Sequence, residues 1–577
     1  MTMSMHAARS NSTWKNAVVY QIYPWTFSED SARDPQLGHG SIKGIEERLP
    51  YIESLGANAI WLSPFYPSPM VDGGYDISDF RNVHPALGTL EDFDSLVKSA
   101  HERHIRLMVD FIPNHSSDKH EWFEKSRRRE DGYDDWYIWH PGHKDEYGNN
   151  HPPNNWASVF SIPHRKAREH GEMSWLRDDE WTPPISAWKW DDVREEFYMH
   201  SFAVEQPDLN WSNPYVREAM KDAMRFWLDR GVDGFRVDAV NHIGKNMELL
   251  DEEVNTAYNE AWYENPYDQL LKHQSCNYPQ TLHEYVWEMC QVLKDEAYEE
   301  RDLRMILEAY MGESDLRDID AIAPEVASTF NFGGLLASWD ANSRKIQMDY
   351  YYERLLRDAV ANQVNGNHDK SRLVARLGDN GARVAAVLNL FLPGMRFIYN
   401  GEELGLDDAD VPPWRLQDPN GLRDPERTPM PWDETQPNVG FSRADPGDLW
   451  LPTNSADAYK SVMRQKQHEK SSLSLYKAAI RLCHELPAAM TGGYVPLRTD
   501  SDQVLAYGRE DDETGDKLVV LVNFTRNKQA SVKVLDSHFV IGGVILSSAN
   551  VEQANRRVDL RAGVTLDSDE AIVIKKI

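Results

Sequence analysis

Asp238 stands two residues after Arg236 in the stretch Gly231-Val-Asp-Gly-Phe-Arg-Val-Asp238-Ala-Val-Asn-His242, at the end of a short apolar run. An arginine beside a carboxylate favours its ionised form and lowers its pKa. An ionised carboxylate at a strand end is what a nucleophile requires. Three further acids, Asp110, Glu308 and Asp369, close short apolar runs or follow them. Histidines accompany two of them, in Asn114-His115 and Asn367-His368-Asp369. Taken alone, each Asp would also serve as the cap of a helix after its strand, and each His as a satisfied core residue. Together they offer a nucleophile, a proton donor and hydrogen-bonding groups, provided the chain brings them to one place.

That condition falls on the elements. Residues 18–23, 59–63 and 105–110 read as buried strands. Between them lie helical patterns: Ile45, Leu49 and Ile52 with Gly56 as a stop, then Phe93, Leu96, Val97 and Ala100. Strand, helix, strand, helix, strand within 110 residues means parallel βα units. The period breaks after His115, where a stretch rich in Trp, Pro, Asn, His and charge runs to about His200 with no sustained helix. Such a length inside a βα series is an inserted subdomain.

Alternation resumes at Asn213-Pro214, a cap followed by proline, with Val216, Met220, Met224, Trp227 and Leu228 on one helix face. Strand 4 ends at Asp238, strand 5 runs over 305–308, and strands near Val364 and at 396–399 take the seventh and eighth places. Beyond Pro487 the texture changes to short runs separated by turn residues. The predicted fold is α/β: a (β/α)8 TIM barrel (1–114 and 201–487) with an inserted subdomain after strand 3 (115–200) and a C-terminal antiparallel β-sandwich domain (488–577). In such barrels the strand C-termini form the active mouth, which gathers the acids and their histidines on one rim.

Composition narrows the partners. The net charge of −31, from 62 basic and 93 acidic residues among 577, disfavours nucleic acid and anionic membranes. The only basic cluster, Lys125 with Arg127 to Arg129, reads as a solvated helix face. No apolar run reaches the length of a membrane span, and no apolar signal-peptide core is visible in residues 1–10. Three scattered cysteines suit a reducing compartment, so a cytoplasmic protein without a zinc site is expected. The 19 Trp, 25 Tyr and 18 Phe fit a protein that stacks rings on sugar faces. Paired carboxyl groups spaced about 5 to 5.5 Å apart across a sugar bond are the machinery of retaining glycoside hydrolysis.

Asp110-Phe-Ile-Pro-Asn-His115, Gly234-Phe-Arg-Val-Asp238, Glu308-Ala-Tyr and Asn367-His-Asp369 resemble the four signature regions of the α-amylase family, glycoside hydrolase family 13. Val19-Tyr-Gln-Ile-Tyr-Pro24, Asp72-Gly-Gly-Tyr-Asp-Ile-Ser-Asp79 and Arg427-Thr-Pro-Met430 resemble its α-glucosidase and oligo-1,6-glucosidase branch. The resemblance implies that Asp238 attacks the anomeric carbon, that Glu308 is the general acid and base, and that Asp369 holds sugar hydroxyls. It implies that His115 and His368 donate to hydroxyls and that Arg236 orients Asp238. Asp72 and Arg423 would grip the 4- and 6-hydroxyls of a non-reducing-end glucose, with Tyr75 stacked on its face; Arg427 competes with Arg423 for the inward place. An exo-acting α-glucosidase on short maltose- or isomaltose-type oligosaccharides follows, needing no cofactor.

Two departures matter. The stretch 29–41 lacks the ligand spacing of the calcium loop found in relatives, so no calcium is expected there. Ala239 follows the nucleophile where α-1,6-preferring relatives carry valine, which favours α-1,4 or mixed linkage. The run 161–184 is expected to shape the leaving-group side. Two other readings compete: a transglycosylase or sucrose/trehalose-isomerising enzyme using the same intermediate, and the non-catalytic heavy chains of amino-acid transporters. The latter need a membrane anchor and dispense with the acids.

Overall fold

The computed structural model describes residues 13–577 except 34, 161–184, 254–274, 357–358, 419–421, 527, 537–539 and 550–555. The 161–184 run and residues 1–10 lie outside the described residues. Eight parallel strands form the barrel: β1 (Val18–Ile22), β2 (Ala59–Leu62), β3 (Arg106–Phe111), β4 (Gly234–Val237), β5 (Arg304–Leu307), β6 (Ala327–Thr329), β7 (Asn362–Val364) and β8 (Met395–Tyr399). The ladder order is β6-β5-β4-β3-β2-β1-β8-β7. Between β6 and β7 a side chain completes the circle: Asn362 donates to the Thr329 carbonyl at 2.7 Å and accepts from the Asn331 N–H at 2.8 Å. β6 was not foreseen, because Ala-Ser-Thr offers no apolar run.

The strands are rich in β-branched and aromatic residues and buried on both faces, as parallel strands between helices must be. Side chains alternate with period 2. Val19, Trp61, Met108, Ile306 and Phe397 share one buried cluster, while their neighbours Val18, Tyr20, Ile60, Leu107 and Val109 join the larger cluster with the helices. The parity that groups Met108 and Ile306 with the first cluster carries Asp110 and Glu308, each two residues on, to the barrel mouth. Gly234 is needed on β4 because a Cβ there would meet the Arg304 carbonyl oxygen at 2.3 Å.

The foreseen stop at Gly56 is left-handed after the helix Ile42–Leu55, and the foreseen cap Asn213 accepts from the Tyr215 N–H at the start of Pro214–Asp229. Ser41 also caps Ile42–Leu55, and Thr89 and Asp92 form a capping box on Leu90–His101. Between β3 and β4 the chain builds a three-stranded sheet of Trp139–His140, Glu196–Met199 and Trp188–Asp191. Among the described residues a short helix also forms there, Glu121–Arg127, which the mixed composition hid. The basic cluster lies at the end of that helix and is paired, as in Arg127 with Asp191 at 2.8 Å and Arg129 with Glu196 at 2.9 Å.

After the helix Ser472–Glu485 the chain forms an antiparallel six-stranded sheet and a two-stranded one, Ala530–Val532 with Val564–Leu566. Tyr494, Leu505, Tyr507 and Val520 of this part share the main core with the barrel helices, and Arg509 donates to the Phe391 carbonyl at 2.7 Å.

Candidate active site

Register brings the first group together. On β4, Arg236 lies beside Asp110 of β3 and Ile306 of β5, and Asp238, two residues on, shares its face. Arg236 Nη1 donates to Asp110 Oδ1 and Asp238 Oδ1, each at 2.7 Å, and Nη2 pairs with Glu308 Oε2. All four side chains are buried. The backbone adds a second link: Ala239 N–H donates to Glu308 Oε2 at 3.2 Å and Val240 N–H to the Glu308 carbonyl at 2.8 Å. To make that turn Ala239 takes a left-handed conformation, φ 40°, which costs a non-glycine residue about 1–2 kcal/mol.

A second group faces it from the β2, β7 and β8 loops. Arg423 pairs with Asp72, with Asp369 at 3.0 Å and with Asp418 at 2.6 Å. Arg427 reaches Asp369 at 2.9 Å and donates from Nε to the His368 carbonyl at 2.8 Å. Both arginines foreseen as competing for the inward place touch Asp369, and of the two Arg423 also pairs with Asp72.

Tyr75 joins the groups: its hydroxyl lies 2.5 Å from His368 Nε2, donates to Asp110 at 3.2 Å and accepts from Arg236 at 3.3 Å. Its ring stacks on the His368 ring at 5.4 Å. His115 lies 3.0 Å from Gln206, whose amide also donates to Asp72 at 2.8 Å. Every residue named from the motifs therefore falls in one connected network.

Electrostatics correct one expectation. Arg236 alone would lower the Asp238 pKa, but burial dominates and, with Glu308 and Asp110 adding to it, holds that pKa well above the usual carboxylate range. Burial likewise pushes Asp110 up to about 6, against the pull of Arg236. Three carboxyl groups round one buried guanidinium cannot all ionise cheaply. A hydrogen bond shared with the Glu308 side chain adds to the rise at Asp238.

Asp369 behaves oppositely. Burial would raise it, yet His368, Arg423, Arg427 and Arg236 together pull it well below the usual range. Burial keeps His368 itself neutral, so the arginines carry that effect. Burial also pushes His115 down to about 4. Asp238 and Asp369 are thus tuned in opposite directions, and Asp369 stands across the site as a fixed negative charge.

Sequence reasoning missed Gln206 and Asp418, which carry no chemistry signal of their own and act only through the residues they hold. It also missed Lys245, whose buried ammonium pairs with Asp208 at 2.9 Å and donates to Asn114 at 3.0 Å and to the His242 carbonyl. In the stretch 29–41, Glu29 is occupied by the backbone N–H groups of Leu37 at 2.5 Å and Gly38 at 3.3 Å. Among the described residues no group of three or more His, Cys, Asp or Glu could hold a metal, and no helix is long and apolar enough to cross a membrane.

Comparison with known proteins agrees with this architecture. The alpha-amylase catalytic domain matches residues 21–492. An α-glucosidase of Apis mellifera is 36% identical over 532 residues, covering 89% of this chain and 86% of that protein. The amino acid transporter heavy chain SLC3A1 of Homo sapiens is 35% identical over 584 residues, covering 97% and 78%. The crystal structure of the α-glucosyl transfer enzyme XgtA superposes with a TM-score of 0.82 at 31% identity, covering 98% and 100%. With the catalytic-domain match spanning most of its length, the chain belongs to the alpha-amylase family of glycoside hydrolases, on its α-glucosidase branch.

Proposed function

We propose that the protein is a retaining, exo-acting α-glucosidase that removes terminal glucose from short maltose- or isomaltose-type oligosaccharides. The observation that carries this is the single guanidinium of Arg236 holding Asp238 and Glu308 on its two terminal nitrogens. That arrangement supports the close carboxyl spacing of a retaining enzyme.

Asp238 attacks the anomeric carbon and forms a glucosyl ester as the bond to the leaving oxygen breaks. Glu308 gives that oxygen its proton. Water then attacks the same carbon, returns a proton to Glu308 and frees Asp238. Asp369, fixed as an anion, favours the positively charged transition state and accepts sugar hydroxyls. His115 and His368, both neutral, donate to hydroxyls, and Tyr75 offers its ring to the sugar face. Arg423, bridging Asp72 and Asp369, closes the pocket at the non-reducing end, which supports exo action. Ala239 supports α-1,4 or mixed linkage.

The likeness to an α-glucosyl transfer enzyme favours a second reading, transfer of the same glucosyl group to a sugar acceptor. The transporter-chain reading loses support because the three carboxylates and Arg236 form a complete cluster. Cys276, Cys290 and Cys483, which form no disulfide, support a cytoplasmic location, which fractionation of the producing cell tests.

The experiment is product analysis by NMR on maltose, isomaltose, sucrose, trehalose and maltotriose. We expect glucose released first as the α anomer; initial β-glucose overturns retention. Mainly new disaccharides at high sugar would establish transfer instead.

A further inference from the structure

Resting on the α-glucosidase reading, we infer that Gln21 is a positioning residue: it keeps the proton of His368 on Nε2, where the ring can donate to a sugar hydroxyl. Gln21 sits on β1 beside Trp61 of β2. It follows Val19 by two residues, so the parity that buries Val19 in the barrel carries its amide to the mouth. The side chain is buried. Its Nε2 lies 2.8 Å from His368 Nδ1 and donates to Ser63 Oγ at 3.2 Å.

A neutral imidazole has one N–H and one acceptor nitrogen, and burial keeps His368 neutral. An amide N–H facing Nδ1 makes that nitrogen the acceptor and leaves the proton on Nε2. The far side of the ring asks for the same arrangement. His368 Nε2 lies 3.4 Å from Asp369 Oδ2 and 2.5 Å from the Tyr75 hydroxyl. An N–H there is attracted to the Asp369 carboxylate, whereas a lone pair is repelled by it. Tyr75 then accepts from the ring and from Arg236, and gives its single proton to Asp110 at 3.2 Å. With the Gln21 oxygen turned to His368 instead, Nε2 would have to take that proton, and Asp110 would lose a donor. The hydrogen bonds therefore run one way, from Gln21 through His368 and Tyr75 to Asp110.

The consequence is chemical. The ionised Asp369 only accepts, so a hydroxyl that meets both groups needs its donor from the His368 ring. Nε2–H beside Oδ2 offers that hydroxyl one donor and one acceptor. The opposite tautomer would present two acceptors to a group with one proton to give.

The test reads the ring directly, by solid-state NMR of protein isotopically labelled at its histidine ring nitrogens. The His368 signals are those lost in His368→Asn. In the unmodified protein Nδ1 should give an acceptor-type signal and Nε2 an N–H-type signal. Gln21→Met keeps the length of the side chain and donates nothing. Its His368 should populate both tautomers, and kcat/KM for maltose should fall roughly tenfold, as for the loss of one hydrogen bond. Thermal unfolding shows whether the variant is folded. A proton on Nδ1 in the unmodified protein overturns the assignment, whether or not the variant folds. Unchanged ring signals in folded Gln21→Met also overturn it, even with activity lost, because a merely structural glutamine leaves the tautomer alone. The ring signals need no turnover, so failure of the unmodified protein to hydrolyse any α-glucoside would instead overturn the α-glucosidase reading beneath it.

Discussion

Arg236 Nη1 donates to Asp238 Oδ1 at 2.7 Å, between two residues of one chain segment that the strand period places on the same face. The contact sets the direction of the carboxylate, while burial and the neighbouring acids set its protonation. Asp238→Ala should lower turnover by several orders of magnitude with the fold retained. Added azide, occupying the vacated space, should restore activity and yield a β-glucosyl azide. Near-normal hydrolysis by Asp238→Ala excludes it as nucleophile.

Asp110 tests the charge balance. Its negative charge contributes to the raised pKa of Asp238, so Asp110→Asn should let Asp238 ionise at lower pH. The acid limb of kcat/KM, which reports free-enzyme groups, should move down. The stability effect has a definite sign. Burial raises Asp110 from 3.8 to about 6, so ionising it in the folded state costs stability as pH rises through that window. Asp110→Asn lacks that loss, and unfolding measured across the window shows it. An acid limb moving upward would contradict the scheme.

Arg423 and Arg427 touch the same carboxylate and should differ in kind. Arg423→Lys loses the fork that joins Asp72 to Asp369, so KM for maltose should rise by roughly tenfold or more. Arg427 also braces the His368 carbonyl, so Arg427→Lys should lower kcat and thermal stability together. Steady-state kinetics with a thermal melt separate the two, and identical profiles would remove the distinction.

Lys245, after β4, pairs with Asp208 of the connection that leads from β3 to β4, with both side chains buried. Lys245→Met strands a buried carboxylate and should cost about 3–5 kcal/mol. Lys245→Met with Asp208→Asn should recover part of that loss. Denaturant unfolding of the single and double variants measures it, and additive losses would show that the pair is not coupled.

Ala239 holds φ 40° directly after Asp238. A β-branched residue fits that conformation poorly, so Ala239→Val should lower the melting temperature while raising activity on isomaltose relative to maltose. An unchanged ratio removes Ala239 as a determinant of linkage.

The sequence by itself determined the parallel βα series, the acids that end β3, β4 and β5, and Asp369 after β7. Period-2 burial and strand-end position are local properties, written in residue type and spacing. Its motifs also named Asp72, Tyr75, His115, His368 and Arg423. Tertiary structure decided what depends on residues distant along the chain. The three-residue β6 exists because β5 pairs with it, and Asn362 completes the ring at its open edge. Gln206 and Asp418 matter only through the groups they meet across the fold. The protonation of Asp238 went against the local rule, because the Arg236 beside it is outweighed by burial and by two carboxyl groups from other strands. A spacing of two residues shows which side chains share a face; the field they experience comes from everything packed around them.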